Sequence, residues 1–184
     1  MFLESNKTML DIIPQSVKDL HKLFKASGKK LYLVGGAVRD FLTGDKPKDF
    51  DLATDALPDE VLGIISDKYR TNLQGRAFGV VVVYTKDQPE GMEIATFRED
   101  LYDDKLGKTR NPDVKFTTIE NDVLRRDLRI NGLFYDLDKN EIVDLVGGID
   151  DIKNGIISMI GEPDLRIKED PLRILRAIRL ACKL

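Results

Sequence analysis

Residues 31–44 constrain the fold more than any other stretch of the chain. Leu31-Tyr32-Leu33-Val34 is an apolar run of strand length, Gly35-Gly36 interrupts it, and residues 37–42 read as a short helix closed by Gly44. A buried strand that turns through two glycines straight into a helix demands a sheet with helices packed on it. The glycines let the backbone approach an anion closely, and a helix N-terminus points free N–H groups at it. Arg39 would add a charge-assisted contact to a phosphate. The spacing is neither the dinucleotide fingerprint nor the Walker loop. A tight strand-to-helix turn with Arg39 and Asp40 in water fits the same residues.

The remaining pattern is α/β, or α+β, with a small mixed sheet. Helices are predicted over 14–26, 58–69 and 119–126, the last with Thr118 as a candidate N-cap. Strands are predicted over 50–53, 79–85 (carrying Val80 to Val83) and 92–97, with a strand pair at 130–135 and 141–145 around Asp138-Lys139-Asn140. Residues 99–112 are polar, lack apolar periodicity and read as a mobile loop. Gly147-Gly148 opens a linker, and 171–184 is a basic helix whose Leu172, Leu175, Ile178 and Leu180 need a partner surface. We therefore expect a head domain at 1–146 and a linker leading into helices at 147–184, the opening of a longer protein.

Composition excludes several kinds of chemistry. Cys182 is the sole cysteine and His21 the sole histidine, which rules out an internal disulfide, a cysteine-cluster metal site and any histidine triad not built on His21. We read His21 as an ordinary helix residue and Cys182 as part of an apolar helix face. A divalent ion here must be held by carboxylates, which points to Mg²⁺. No apolar run approaches the ~20 residues of a membrane helix, and the N-terminus does not read as a secretory signal, so a cytoplasmic protein is expected. With 29 Lys and Arg against 32 Asp and Glu, the net charge is -3. An RNA substrate would need a local basic patch or further chain to hold it.

Asp49 and Asp51 flank Phe50 on the predicted second strand, so their side chains share a face. Two neighbouring carboxylates repel and invite a divalent cation, as in two-metal phosphoryl transfer. Glu93, on the 92–97 strand, is a candidate third acid. Taken separately, each acid also fits an ordinary solvent-facing position.

The motifs together say more than each alone. Gly35-Gly36-Ala37-Val38-Arg39-Asp40, followed by Lys48-Asp49-Phe50-Asp51, resembles the first motif of the class II tRNA nucleotidyltransferase and bacterial poly(A) polymerase family. The resemblance continues through Glu93-Ile94-Ala95-Thr96-Phe97-Arg98, Arg125-Arg126-Asp127-Leu128-Arg129-Ile130-Asn131 and Glu169-Asp170-Pro171-Leu172-Arg173. It implies a polymerase-β-like nucleotidyltransferase fold followed by the start of an all-helical neck. By that resemblance Asp49 and Asp51 bind Mg²⁺ and act in catalysis, with Glu93 beside them. Gly35, Gly36 and Arg39 would hold the triphosphate, and Arg126 and Asp127 the sugar of the incoming nucleotide. Asp170 and Arg173 would template its base, with Arg176 and Arg179 as further nucleotide contacts.

The physics of these assignments is reasonable. A buried contact from Asp127 to a ribose hydroxyl would select ribonucleotides, and a carboxylate with a guanidinium can pair with a base edge. Asp170, Arg173, Arg176 and Arg179 recur at three-residue steps, so neighbours adjoin along one helix. Asp170 before Pro171 also suits a plain N-cap, and Asp127 a helix-end ion pair with Arg125 or Arg126. Where the family's second motif has threonine and alanine, this chain has Arg129 and Gly132, and Arg129 is expected to add charge beside the nucleotide site. The resemblance implies CMP or AMP addition from CTP or ATP to a tRNA 3′ end, with pyrophosphate release. The alternatives are AMP addition to general RNA ends, as in a poly(A) polymerase, or a nucleotide-binding head inactive without further RNA-holding regions.

Overall fold

Apolar residues at two-residue spacing fall on both faces of the predicted strands, so the sheet is covered on both sides. The computed structural model describes residues 8–102 and 113–184. Its strands are β1 (Leu31–Val34), β2 (Asp51–Thr54), β3 (Arg70–Asn72), β4 (Val80–Tyr84), β5 (Met92–Thr96), β6 (Arg98–Leu101), β7 (Asp113–Phe116), β8 (Leu133–Asp136) and β9 (Glu141–Asp144). The helices are α1 (Met9–Ile12), α2 (Gln15–Ala26), α3 (Gly36–Thr43), α4 (Pro58–Ile65), α5 (Ile119–Arg125), α6 (Gly148–Asn154), α7 (Pro163–Glu169) and α8 (Leu172–Ala181). Seven strands form one mixed sheet in the order β3-β4-β5-β2-β1-β8-β9, and β6 and β7 pair separately. Only β2 and β5 run parallel, with Leu52 opposite Ile94.

Alternation along β1 builds two cores. Leu31 and Leu33 point to one face and pack with Val17, Leu20 and Phe24 of α2 and Val61 and Ile65 of α4. Tyr32 and Val34 point to the other and meet Phe97, Val123, Phe134 and Ile160. There Tyr32, Phe97 and Phe134 form tilted and edge-on ring pairs with centroids 5.9–6.3 Å apart. A third cluster joins Leu128 and Ile130 to Leu180 of α8.

The expected mixed sheet and its helices are present, with local differences. The second strand starts at Asp51, one residue late, which leaves Asp49 in the preceding irregular segment. The helix expected over 58–69 ends at Ile65, and the chain turns into β3, an edge strand with no apolar alternation. Residues 98–101 and 113–116 are strands of a hairpin, so the loop expected over 99–112 is partly β structure, and 103–112 lie outside the described residues. The strand expected at 130–135 begins later, because Arg129–Asn131 forms a 3₁₀ turn that points Ile130 into the third cluster. The expected linker holds two short helices, α6 and α7. Thr118 precedes α5, but its hydroxyl makes no capping bond. Cys182 follows α8 and is exposed, contrary to the apolar setting expected for it. Within α8, Leu180 is buried while Leu175 and Ile178 remain exposed.

Candidate active site

The glycine turn places the start of α3 against the sheet edge where β2 begins. Gly35 has φ of 69°, a left-handed conformation that favours glycine, and its N–H donates to Leu133 O at 3.1 Å. Val34 lies opposite Asp51, so the turn and the first aspartate of β2 are neighbours. Above this edge, between the second sheet face and the helices α5 and α8, opens a cleft with two adjoining lobes. One lobe, of about 480 Å³, is lined by Gly35, Gly36, Asp51, Arg126, Asp127, Asp170, Arg173 and Arg176, with the 98–102 segment on one side. The other, of about 720 Å³, is lined by Gly36, Arg39, Asp49, Asp51, Arg176 and Arg179. Gly36, Asp51, Asn131 and Arg176 belong to both.

Every candidate residue except Glu93 lines one lobe or the other. Glu93 sits beside Asp51 on the parallel partner strand, one register step before the Leu52–Ile94 pair. Asp51 is electrostatically crowded. Withdrawal from bulk water, the charge of Glu93 and that of Asp49 push its carboxyl up to about 6, against an opposing pull from Arg126. Its surface still opens to the cleft. Crowded carboxylates with a raised pKa suit a cation, and Mg²⁺ characteristically takes one or two carboxylates, waters and substrate phosphates rather than a full protein cage.

The arginines expected at the nucleotide are held by other side chains. Arg126 is gripped by Asp122, buried at 1% exposure, with Nη2 to Oδ2 at 2.9 Å, and its guanidinium lies 4.7 Å over the Phe134 ring. Asp122 also binds Arg125 and accepts the Arg98 N–H at 3.1 Å. Asp127 pairs with neither Arg125 nor Arg126. Its Oδ2 accepts from Arg176 Nε at 2.7 Å, while Arg176 Nη2 donates to Asp170 Oδ2 at 2.8 Å. Asp170 Oδ1 also accepts the Leu172 N–H at 3.0 Å, although Pro171 and not Asp170 is the residue at the N-cap of α8. Burial pushes the Asp170 carboxyl up, but the Arg176 and Leu172 donors outweigh it and hold it below the ordinary range. Arg173 is 4% exposed and donates to Arg166 O, Glu169 and, at 3.3 Å, the Tyr102 hydroxyl. Arg39 is likewise buried and donates to Asp40 and to Asn131 Oδ1.

Three residues that the motif reading did not assign shape this site. Asp122 anchors Arg126, Asn131 orients Arg39, and Arg166 donates to the carbonyls of Arg125 and Arg126 at 2.5 and 3.0 Å, fixing the backbone ahead of Asp127. The spacing of Asp122 to Arg125 and Arg126, three and four residues on one helix, signals the first. Arg166 carries no local signal. Arg129 lines neither lobe. Its guanidinium lies toward Gly147, so its charge is not beside the candidate nucleotide site as expected.

The second lobe supplies the basic patch that the net charge left open. Arg39, Lys46, Lys48, Arg176, Arg179 and Lys183 line it against Asp40, Asp45, Asp49 and Asp51. A model of the poly(A) polymerase head domain matches residues 31–158. The chain belongs to the poly(A) polymerase head-domain family. Poly(A) polymerase I of Salmonella typhi is 43% identical over 183 residues, covering 95% of this chain and 38% of that protein. The CCA-adding enzyme of Ligilactobacillus salivarius is 42% identical over 177 residues, covering 95% of this chain and 41% of that protein. The crystal structure of Bacillus stearothermophilus CCA-adding enzyme in complex with CTP superposes with a TM-score of 0.76 at 34% identity, over 95% of this chain and 39% of that one. The chain thus spans about two fifths of the length of these relatives. The fold is the polymerase-β-like nucleotidyltransferase head. Among the described residues no helix is long and apolar enough to cross a membrane.

Proposed function

We propose that this chain is the catalytic head, residues 1–146, and the start of the neck, 147–184, of a template-independent RNA nucleotidyltransferase. It joins CMP or AMP from CTP or ATP to the 3′-hydroxyl of a tRNA and releases pyrophosphate. The observation that carries this reading is the crowding of Asp51 by Asp49 and Glu93 at the floor of a cleft whose walls hold Arg126, Asp127, Asp170 and Arg173. Asp49 and Asp51 would hold Mg²⁺, with Glu93 shaping their charge. When bound, Mg²⁺ supplies the positive charge that favours ionisation of the attacking hydroxyl and offsets the phosphate oxygens.

The chain's own residues do the rest. Gly36 leaves the N-terminus of α3 open to the triphosphate, and Arg39 stands beside it in the basic lobe. Asp127 faces the sugar, and Asp170 with Arg173 offers an acceptor and donors to a base edge. Arg176 engages one carboxylate oxygen of each of Asp127 and Asp170. The rigid pairing of Asp122 with Arg126 presets the wall at no entropic cost during the reaction.

A second reading, AMP addition to general RNA ends, is favoured by the relatives named poly(A) polymerase I. The deciding experiment incubates the chain with Mg²⁺, labelled CTP or ATP, and tRNAs ending before the CCA, after the first C and after CC. Stepwise addition that Asp49→Ala abolishes supports tRNA end-building. ATP incorporation onto any RNA end supports polyadenylation. Nucleotide binding without addition means that the head needs further chain to present RNA.

A further inference from the structure

Among the described residues of the charged cleft, two aromatic side chains take no part in the proposed reaction: Tyr102, whose hydroxyl is engaged by Arg173, and the more exposed Phe78. Phe78 keeps 39% of its surface exposed, yet it lines the lobe that holds Asp127, Asp170 and Arg173. Its neighbours in that lobe are mostly charged, with Val114 of β7 as an apolar companion. What sets Phe78 apart from the other exposed apolar side chains is its place inside the cleft, where its ring offers an apolar face to a ligand that binds there.

The backbone around Phe78 is fixed. It ends the 3₁₀ turn Arg76–Phe78, and Gly79 follows with φ of 78°. The Phe78 carbonyl accepts from the Arg98 guanidinium, and the Gly79 carbonyl accepts the Thr96 N–H at 2.8 Å. The place of the turn along the sheet matters. Thr96 lies three residues beyond Glu93 on β5, on the order of 10 Å from the acidic end of the cleft. The Phe78 turn is therefore displaced along the sheet from Asp51, in the same lobe that the base-edge candidates Asp170 and Arg173 line.

Resting on the nucleotidyl-transfer reading above, we propose that Phe78 is a stacking platform for the nucleobase of the incoming nucleoside triphosphate. Its ring takes the face of the base while Asp170 and Arg173 take the edge. Stacking on an aromatic ring tolerates any base, because every base has a π-face. Phe78 thus contributes affinity without choosing between CTP and ATP, and the choice falls to the edge contacts.

The chain contains no tryptophan, so Phe78→Trp introduces a single indole fluorophore at this point. The primary measurement is its emission on titration with CTP, ATP, ribose triphosphate lacking a base, and a short RNA. Nucleotide binding is followed in parallel by equilibrium dialysis with labelled CTP and ATP. The expected result is quenching of the indole by both nucleotides and none by the baseless triphosphate. Phe78→Ala is expected to weaken both nucleotides in dialysis by about 5- to 150-fold, with the binding rescued by Phe78→Tyr. Nucleotide that binds in dialysis without disturbing the indole overturns the proposal and leaves the nucleotidyl-transfer reading standing. Quenching by the RNA alone reassigns the ring to the acceptor strand and also overturns it. If neither nucleotide binds in dialysis, even to the unsubstituted chain, the reading on which the proposal rests fails with it.

Discussion

Replacing Asp122 with asparagine tests whether the wall of the cleft is preset by a buried ion pair. The substitution keeps the volume of a side chain that is 1% exposed, removes its charge, and turns an amide NH₂ toward donors. Asp122 serves three partners at once: Arg125 at 2.9 Å, Arg126 at 2.9 Å and the Arg98 N–H at 3.1 Å. Removing one member of such a buried pair costs about 3–5 kcal/mol, because the remaining charges stay uncompensated. For a domain of this size that is a fall in Tm of about 6–20 °C. The effect also has a pH signature. Burial pushes the Asp122 carboxyl up, but Arg126, Arg125 and the Arg98 N–H overcome it and hold it below the usual carboxylate range. A depressed native pKa contributes stability that is complete above the unfolded value, about 3.9, and is lost as pH falls through the native value. Urea unfolding of both proteins at pH 7, 5, 4 and 3 measures this directly. The gap should be constant from pH 7 to 5 and close below about pH 4. A loss under about 1 kcal/mol at pH 7, or a gap equally wide at pH 3, refutes the argument.

Other perturbations address separate parts of the molecule. Asp144 accepts the N–H groups of Val146, Gly147, Gly148 and Ile149 at 2.9–3.1 Å, so Asp144→Ala should cost about 2–3 kcal/mol in urea unfolding and expose α6 amides to hydrogen exchange. A Cβ on Gly36 would meet only the flexible Arg39 guanidinium, at 3.5 Å. Gly36→Ala should therefore leave Tm unchanged or slightly raised and weaken nucleotide binding in dialysis, because the space it fills is the ligand's. In metal-free protein the Asp51 carboxyl should titrate near pH 6 by carbon NMR, and Glu93→Gln should move that midpoint down; an unmoved midpoint would mean that Glu93 is not the neighbour that raises it.

The central strands and the glycine turn were legible because their apolar alternation is dictated by two buried faces, as at Leu31 to Val34. The polar strand β3 was not, since an edge strand of Arg70, Thr71 and Asn72 buries too little to leave a pattern. The β6–β7 hairpin stayed hidden because it pairs apart from the main sheet and its residues are mostly polar. Helices α6 and α7 have seven residues each, too few for a periodic stripe. Motif residues such as Asp51 and Arg126 were visible as types at a spacing. Their partners followed two different rules. Asp122 is a local helix neighbour, whereas Arg166 reaches the second motif across 40 residues of chain, and only the fold brings them together.

The single parallel pairing in the sheet bears on how the molecule acquires its activity during folding. β4–β5 and β8–β9 are local hairpins, and β1–β2 closes across one short helix, so each can form early. The seam between β2 and β5 joins segments about forty residues apart, and its loop-closure entropy is recovered only when the separate units dock. Asp51 belongs to one unit and Glu93 to the other. The acidic corner of the proposed site therefore exists only once β2 and β5 have paired, and hairpins formed on their own hold its two acids apart.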